Sequence, residues 1–234
     1  PGSRFAVAAA TANLALNDGR WDDVPITMEG DGAAMGAGGL MAHTGHRSER
    51  CYRMGDRRGA AELYRRLASD VPESTVMPLA AWADWLEGER VDAAEGLRTW
   101  ADEIQPHLPA ALDTVLAAGL SHLAADLRLA ELCSRFAGVL RPHRGKWGSG
   151  AIEMSLGLVD HALGLCDYAA GRPDEGEAEL RAAIADYRRA GTRASMALAL
   201  ADLARLAGDG EARAEASSLG DELGMGIVPY RLGD

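Results

Sequence analysis

Apolar residues recur three and four apart in short blocks along this chain, and most blocks end on a glycine or a proline. That spacing puts the apolar side chains on one face of an amphipathic helix. Leu63, Tyr64 and Leu67 mark one such face, Trp82, Trp85 and Leu86 a second, and Ala94, Leu97 and Trp100 a third. The pattern predicts helices over 4–17, 41–54, 57–69, 76–87, 91–104, 110–124, 127–140, 152–170, 174–190, 193–207 and 211–223, and a frayed tail at 226–234. Asp18-Gly19, Pro72, Pro106, Pro109 and Pro142 supply the breaks. Trp21-Asp22-Asp23 looks like a helix start cut short by Pro25, and the glycine-rich run 30–39 argues against regular helix there. No run of alternating β-branched residues appears, so a sheet is not expected.

One phrase repeats. Gly55-Asp-Arg-Arg-Gly-Ala-Ala-Glu returns as Gly88-Glu-Arg-Val-Asp-Ala-Ala-Glu and as Gly171-Arg-Pro-Asp-Glu-Gly-Glu-Ala. In each, a glycine ends one helix, a charged turn follows, and small residues open the next. The first two glycines stand 33 residues apart (88 − 55), a period typical of stacked helical hairpins. The expected organisation is an irregular unit at 1–39, hairpins over 40–141, a glycine-rich connection at 142–150, hairpins over 151–225, and the tail, forming one superhelical domain that is a piece of a longer protein.

The hairpin unit resembles a tetratricopeptide repeat. Leu163-Gly164, Gly171, Gly176, Leu180 and Ala183 fall on that family's pattern, as do Gly55, Ala60, Tyr64, Leu67 and Pro72. Asp160 stands where the family has Trp, so the repeats are degenerate. Over about 40–210 the order of segments also resembles the C-terminal helical region of large actinobacterial regulatory ATPases, including the LuxR-type transcriptional regulators. These resemblances imply an all-α, right-handed α-solenoid of hairpins. They also imply a non-catalytic interaction or sensor module in the cytoplasm, binding a protein, a peptide or a small effector, with other domains of the parent among the candidate partners. A homo-oligomerisation scaffold is the alternative, and a small-molecule enzyme a more distant one.

Composition narrows the partners. The 234 residues are 47% hydrophobic and 25% charged, with a net charge of −11. An acidic surface repels phosphate backbones, which disfavours direct nucleic-acid binding. Three cysteines, far apart in helical sequence, suit reduced thiols. Cofactor chemistry has no motif here, and GxxxxGK[ST] is missing from the sequence.

Candidate sites follow from the repeat register. With the turn glycines aligned, and Ala125 standing in for a glycine, Tyr52, Trp85, His122, Tyr168 and Arg205 share one position on the first helix of each hairpin, with Glu49, Trp82 and Leu165 one turn earlier. Such a ladder, with His161, would line a concave groove, although rings of this size more often pack between hairpins. His43-x-x-His46 near Cys51 has the spacing of two metal ligands but no third, and reads better as packed or solvated histidine. Asp22, Asp23, Glu29 and Asp31 lack a calcium loop's alternation and read as solvated charge. Asp160-His161 with Cys166 holds the residue types of a thiol nucleophile and its base, but five positions separate their faces. Gly145-Lys146-Trp147-Gly148-Ser149-Gly150 is only loosely a phosphate loop. No metal, cofactor or catalytic residue is expected.

Overall fold

A computed structural model describes residues 2–24, 36–70, 78–149 and 155–233. It is mostly helical, with twelve α-helices among the described residues. The chain divides into two compact units, Pro1–Leu108 with Ser149–Ser155, and Pro109–Gly148 with Leu156–Asp234.

The first unit holds α1 (Gly2–Asp18), a 3-10 turn (Trp21–Asp23), α2 (Gly36–Arg53), α3 (Arg57–Asp70), α4 (Leu79–Glu87) and α5 (Arg90–Glu103), with a second 3-10 turn at Gln105–His107. Each helix packs on the next, α1 on α2 through to α4 on α5. The periodic apolar residues are the buried ones: Tyr64 and Leu67 of α3, Trp85 and Leu86 of α4, Leu97 and Trp100 of α5. Asp56 caps α3, accepting from the Gly59 N–H at 2.8 Å. α2 starts earlier than the glycine content suggests and takes in Gly36–Gly39, because burial of its later turns offsets the cost of glycine in a helix. Residues 25–35, 71–77 and 150–154, which hold the Pro25 and Pro72 breaks and part of the glycine-rich run, lie outside the described residues.

The second unit holds α6 (Ala110–Asp126), α7 (Ala130–Leu140), a 3-10 turn (Arg141–His143), strands β1 (Trp147–Ser149) and β2 (Ser155–Leu158) apart from Ser149 and Ser155, then α8 (Val159–Ala169), α9 (Pro173–Ala190), α10 (Arg193–Ala207), α11 (Gly210–Leu223) and α12 (Ile227–Leu232). α6 packs on α7 and α8, α8 on α9 and α10, and α10 on α9, α11 and α12. α8 and α10 are enclosed, with Val159–Asp167 and Ala194–Ala204 buried without a break, and α6 is buried over Leu116–Ser121. Ala and Leu dominate the buried faces of these helices, and helices apolar around most of their circumference belong inside.

Two expectations about this unit need correction. The helix predicted over 152–170 begins only at Val159, and β1 and β2 pair in a small sheet where none was expected. Gly157 adopts φ +82, and the Leu158 N–H donates to the Tyr187 hydroxyl at 2.7 Å instead of entering a helix. A Cβ at residue 157 would lie 2.6 Å from that hydroxyl oxygen. The second concerns the tail. Residues 227–232 are helical, with Ile227, Val228, Arg231 and Leu232 buried. Their apolar side chains seat on α10 and α11, the region where a Cβ at Gly220 would lie 3.0 Å from Val228.

The turns explain the repeated phrase, and they shift its register. Gly55 and Gly88 take φ near +90 and close their helices with matching bonds, N–H of the glycine to the carbonyl three back and N–H of the next residue to the carbonyl five back. The α6–α7 turn makes the same pair of bonds, Arg128 to Ala125 and Leu129 to Ala124, and Arg128 takes φ +57. Arg128, not Ala125, therefore holds the glycine position. Aligned on Arg128, His122 lies six residues before the turn residue, level with Glu49, Trp82 and Leu165, and with Asp202 before Gly208.

Candidate functional site

Enclosed helices that carry polar side chains must pair them, since an unpaired buried charge is far costlier than a buried methyl. α10 carries one acid, Asp202, in a buried stretch whose other residues are uncharged, and its side chain is 0% exposed. Three side chains answer it directly. His161 of α8 donates from Nε2 to Asp202 Oδ2 at 2.9 Å. Arg231 of α12, itself buried, donates to Oδ1 from Nη2. Arg205 Nη2 stands 3.4 Å from the same oxygen. Arg231 Nη2 also faces His122 Nδ1 of α6 at 3.5 Å. Asp126, at the end of α6, closes the outer edge: it accepts from Arg205 at 3.1 Å and lies 3.9 Å from Arg231.

The His122 and His161 rings meet edge to face, centroids 4.8 Å apart at 84°. Behind His161 stands Tyr187 of α9, centroids 6.0 Å apart, and Trp147 of β1 packs on Tyr187 at 5.7 Å. Burial by itself pushes the Asp202 carboxyl up, but the Arg231 charge, the His161 hydrogen bond and Arg205 outweigh it and hold that carboxyl well below the usual carboxylate range. The result is an ionised carboxylate inside the unit, ringed by two guanidinium groups and two imidazoles.

A second buried acid, Asp167 of α8, accepts from Arg141 at 2.8 Å and from Arg172 at 2.7 Å. It joins the end of α7 to the start of α9. At the mouth of the α8 helix, Asp160 accepts from the Gly145 N–H at 2.7 Å. The loosely phosphate-like 145–150 run is thereby engaged: Trp147–Ser149 form β1, and Gly150 lies outside the described residues.

The ladder residues divide between the units. In the second, His122, His161 and Arg205 converge on Asp202, while Tyr168 packs apart from them against Gly176 of α9. In the first, Tyr52 and Trp85 are neighbours, ring centroids 5.7 Å apart, and Trp82 packs on Tyr64 at 5.6 Å. Glu49 accepts from Arg53 at 2.7 Å. Trp85 and His161 are buried, so at these two positions the ladder is core and not open groove.

The other candidates resolve as packing. His43 and His46 are buried in α2, and His46 donates to Asn13 Oδ1 at 3.1 Å. Burial, and then the neighbouring His43, hold the His46 imidazole down at about 4, against a smaller opposing pull from Glu49. Cys51 is half-buried, and burial pushes its thiol up. Asp23 pairs with Arg20, Asp22 reaches only to 4.0 Å from Arg50, and Glu29 and Asp31 lie outside the described residues. Cys166 does not meet His161: its thiol donates to Ser121 at 3.3 Å, and His161 turns to Asp202. Hydrogen bonding with Cys166 and burial push the Cys133 thiol up. Neither buried thiol is presented as a nucleophile.

Asp202, Arg231 and Asp126 were not among the candidates. Asp202 had a signal, as a lone acid in an Ala- and Leu-rich helix. Arg231 had none, since its role depends on where α12 lands.

This is a mostly helical protein with a buried ionic centre, and among the described residues no helix is long and apolar enough to cross a membrane. No known family, curated protein or solved structure matches the chain.

Proposed function

We propose that this chain is a non-catalytic recognition module, built as a stack of tetratricopeptide-like hairpins, that serves as the sensor or docking segment of a multidomain bacterial transcriptional regulator. One observation carries the reading. The first helices of three successive hairpins, α6, α8 and α10, contact one another in order and contribute His122, His161, and Asp202 with Arg205 to a single polar centre. In such a stack, first helices line the concave face, so a ligand reaching the rim at Arg205 and half-buried His122 would be read by all three hairpins at once. The turn bonds shared by Gly55, Gly88 and Arg128 support the repeat, and the pairing of His161 with Asp202 away from Cys166 supports recognition over thiol catalysis.

A thermal-shift screen of metabolites and peptides, with titration calorimetry on every hit, tests this. A ligand that binds the native chain, binds R205A at least about tenfold more weakly and is recovered unchanged supports the reading. A hit converted to product by the native chain, and not by H161Q, replaces it with an enzyme. No hit in either class counts against it.

A further inference from the structure

Among the described residues, His122, His161 and Asp202 bring their ligand atoms within 4.8 Å of one another. Two imidazoles and one carboxylate are the ligands of open zinc-type sites, and they favour borderline transition ions over magnesium or calcium. His161 Nε2 and Asp202 Oδ2, 2.9 Å apart, already stand near the spacing of two ligands on one ion, and a side-chain shift of about 1 Å would complete the set at metal bond lengths of roughly 2.0–2.2 Å.

Charge balance says what must give way. Asp126 and Asp202 carry two negative charges and Arg205 and Arg231 two positive, and an imidazole that ligates a metal must be neutral and adds none. Adding a divalent ion to this balanced, buried group would leave two uncompensated positive charges at low dielectric, which is prohibitive. Arg205 can swing towards solvent and leave Asp202, since its side chain is 31% exposed, whereas Arg231 is 3% exposed and held against Asp202 Oδ1. The Arg231 guanidinium is the built-in competitor.

We propose that His122, His161 and Asp202 form a binding site for a divalent transition-metal ion of the zinc class, and that the ion and the Arg231 guanidinium occupy it alternately. Metal uptake then expels Arg231 and loosens α12 from α10 and α11. Because both states use the same carboxylate, the two occupancies are linked, and whatever favours α12 docking weakens metal binding by the same factor. The inference names an effector class for the sensor reading and rests on that reading only for its biological consequence.

Co²⁺ as the chloride, followed by its visible d–d absorption and displaced by Zn²⁺, is the probe. It is titrated into the native chain, R231M, H161Q and H122Q, each first shown by circular dichroism to unfold cooperatively. The native chain should take up one ion, R231M should bind it about tenfold more tightly or better once a nearby positive charge is gone, and H161Q and H122Q should lose it. Amide exchange at 227–232 should accelerate when the native chain is loaded with Zn²⁺. Equal affinity in the native chain and R231M, uptake that survives H161Q, or a folded R231M that takes up no Co²⁺ would each overturn the proposal. No partner is present in these measurements, so their failure leaves the docking reading standing, and failure of the ligand screen leaves the metal site standing.

Discussion

α8 and α9 pack backbone against backbone at Gly164 and Gly176, and Gly176→Ala measures how tightly. A Cβ at residue 176 would lie 2.8 Å from the Gly164 carbonyl oxygen and 2.9 Å from the Tyr168 amide nitrogen. Both are backbone atoms of α8, so no side-chain rotation relieves the clash, and α9 must move off by several tenths of an ångström. Gly164 is tight from the other side, where a Cβ would lie 3.0 Å from the Gly176 carbonyl oxygen. Prying apart a packed interface costs typically ~1–3 kcal/mol, and up to about 1 kcal/mol returns because alanine favours helix over glycine. The net expectation is a loss of about 1–2 kcal/mol, or roughly 3–8 °C in the unfolding midpoint for a unit of this size. Gly138→Ala on α7 is the control, because nothing lies within 4 Å of its added methyl and the site is exposed. It should gain about 0.5–1 kcal/mol from helix propensity alone. Thermal unfolding followed by far-ultraviolet circular dichroism reads both. A G176A protein as stable as the native chain, or more so, would refute the close approach of the two backbones and with it the hairpin packing of this pair.

Other consequences are as direct. His46 is held near 4 in the folded chain against 6.5 in the open one, so the unfolded state binds the extra proton between those values. Stability should therefore fall as pH drops from about 6.5 to about 4, by ~3 kcal/mol, and level off below. Urea unfolding at pH 7.0 and 4.5 should show that loss in the native chain and a much smaller one in H46Q. Tyr187→Phe removes the acceptor of the buried Leu158 N–H and should cost about 1–3 kcal/mol by the same denaturant assay, whereas an unchanged midpoint would mean the amide finds another partner. Asp202→Asn leaves Arg231 buried without its carboxylate. A loss of about 3–5 kcal/mol is expected, together with faster amide exchange across α12, and a native-like exchange pattern would contradict Arg231 as the anchor of that helix.

Much of the helical layout was legible from local chemistry. Three-and-four spacing, prolines and turn glycines are short-range signals, so α3, α5, α9, α10 and α11 fall within a residue or two of their expected bounds. Elements that depend on a distant partner were not legible. β2 stands at 155–158 in place of predicted helix, where Tyr187, 29 residues on from Leu158, captures the Leu158 amide. α12 forms because α10 and α11 offer a surface for Ile227 and Val228, which an isolated six-residue helix could not do without. Arg128 hid the register of one hairpin, since a non-glycine residue at positive φ carries no mark in the sequence.

The site divides in the same way. His122 and Arg205 were legible through the repeat register and His161 as a polar residue beside it, and burial of the helix segments that carry them obliges them to find partners. Sequence alone determined that the chain would pair amphipathic helices around small residues and carry an acidic surface. Packing alone brings an acid 41 residues beyond His161 to that imidazole, and an arginine 29 residues further on to that acid. The physical reason is range: helix propensity acts over one turn, while ion pairing in a core acts wherever packing happens to deliver the charges.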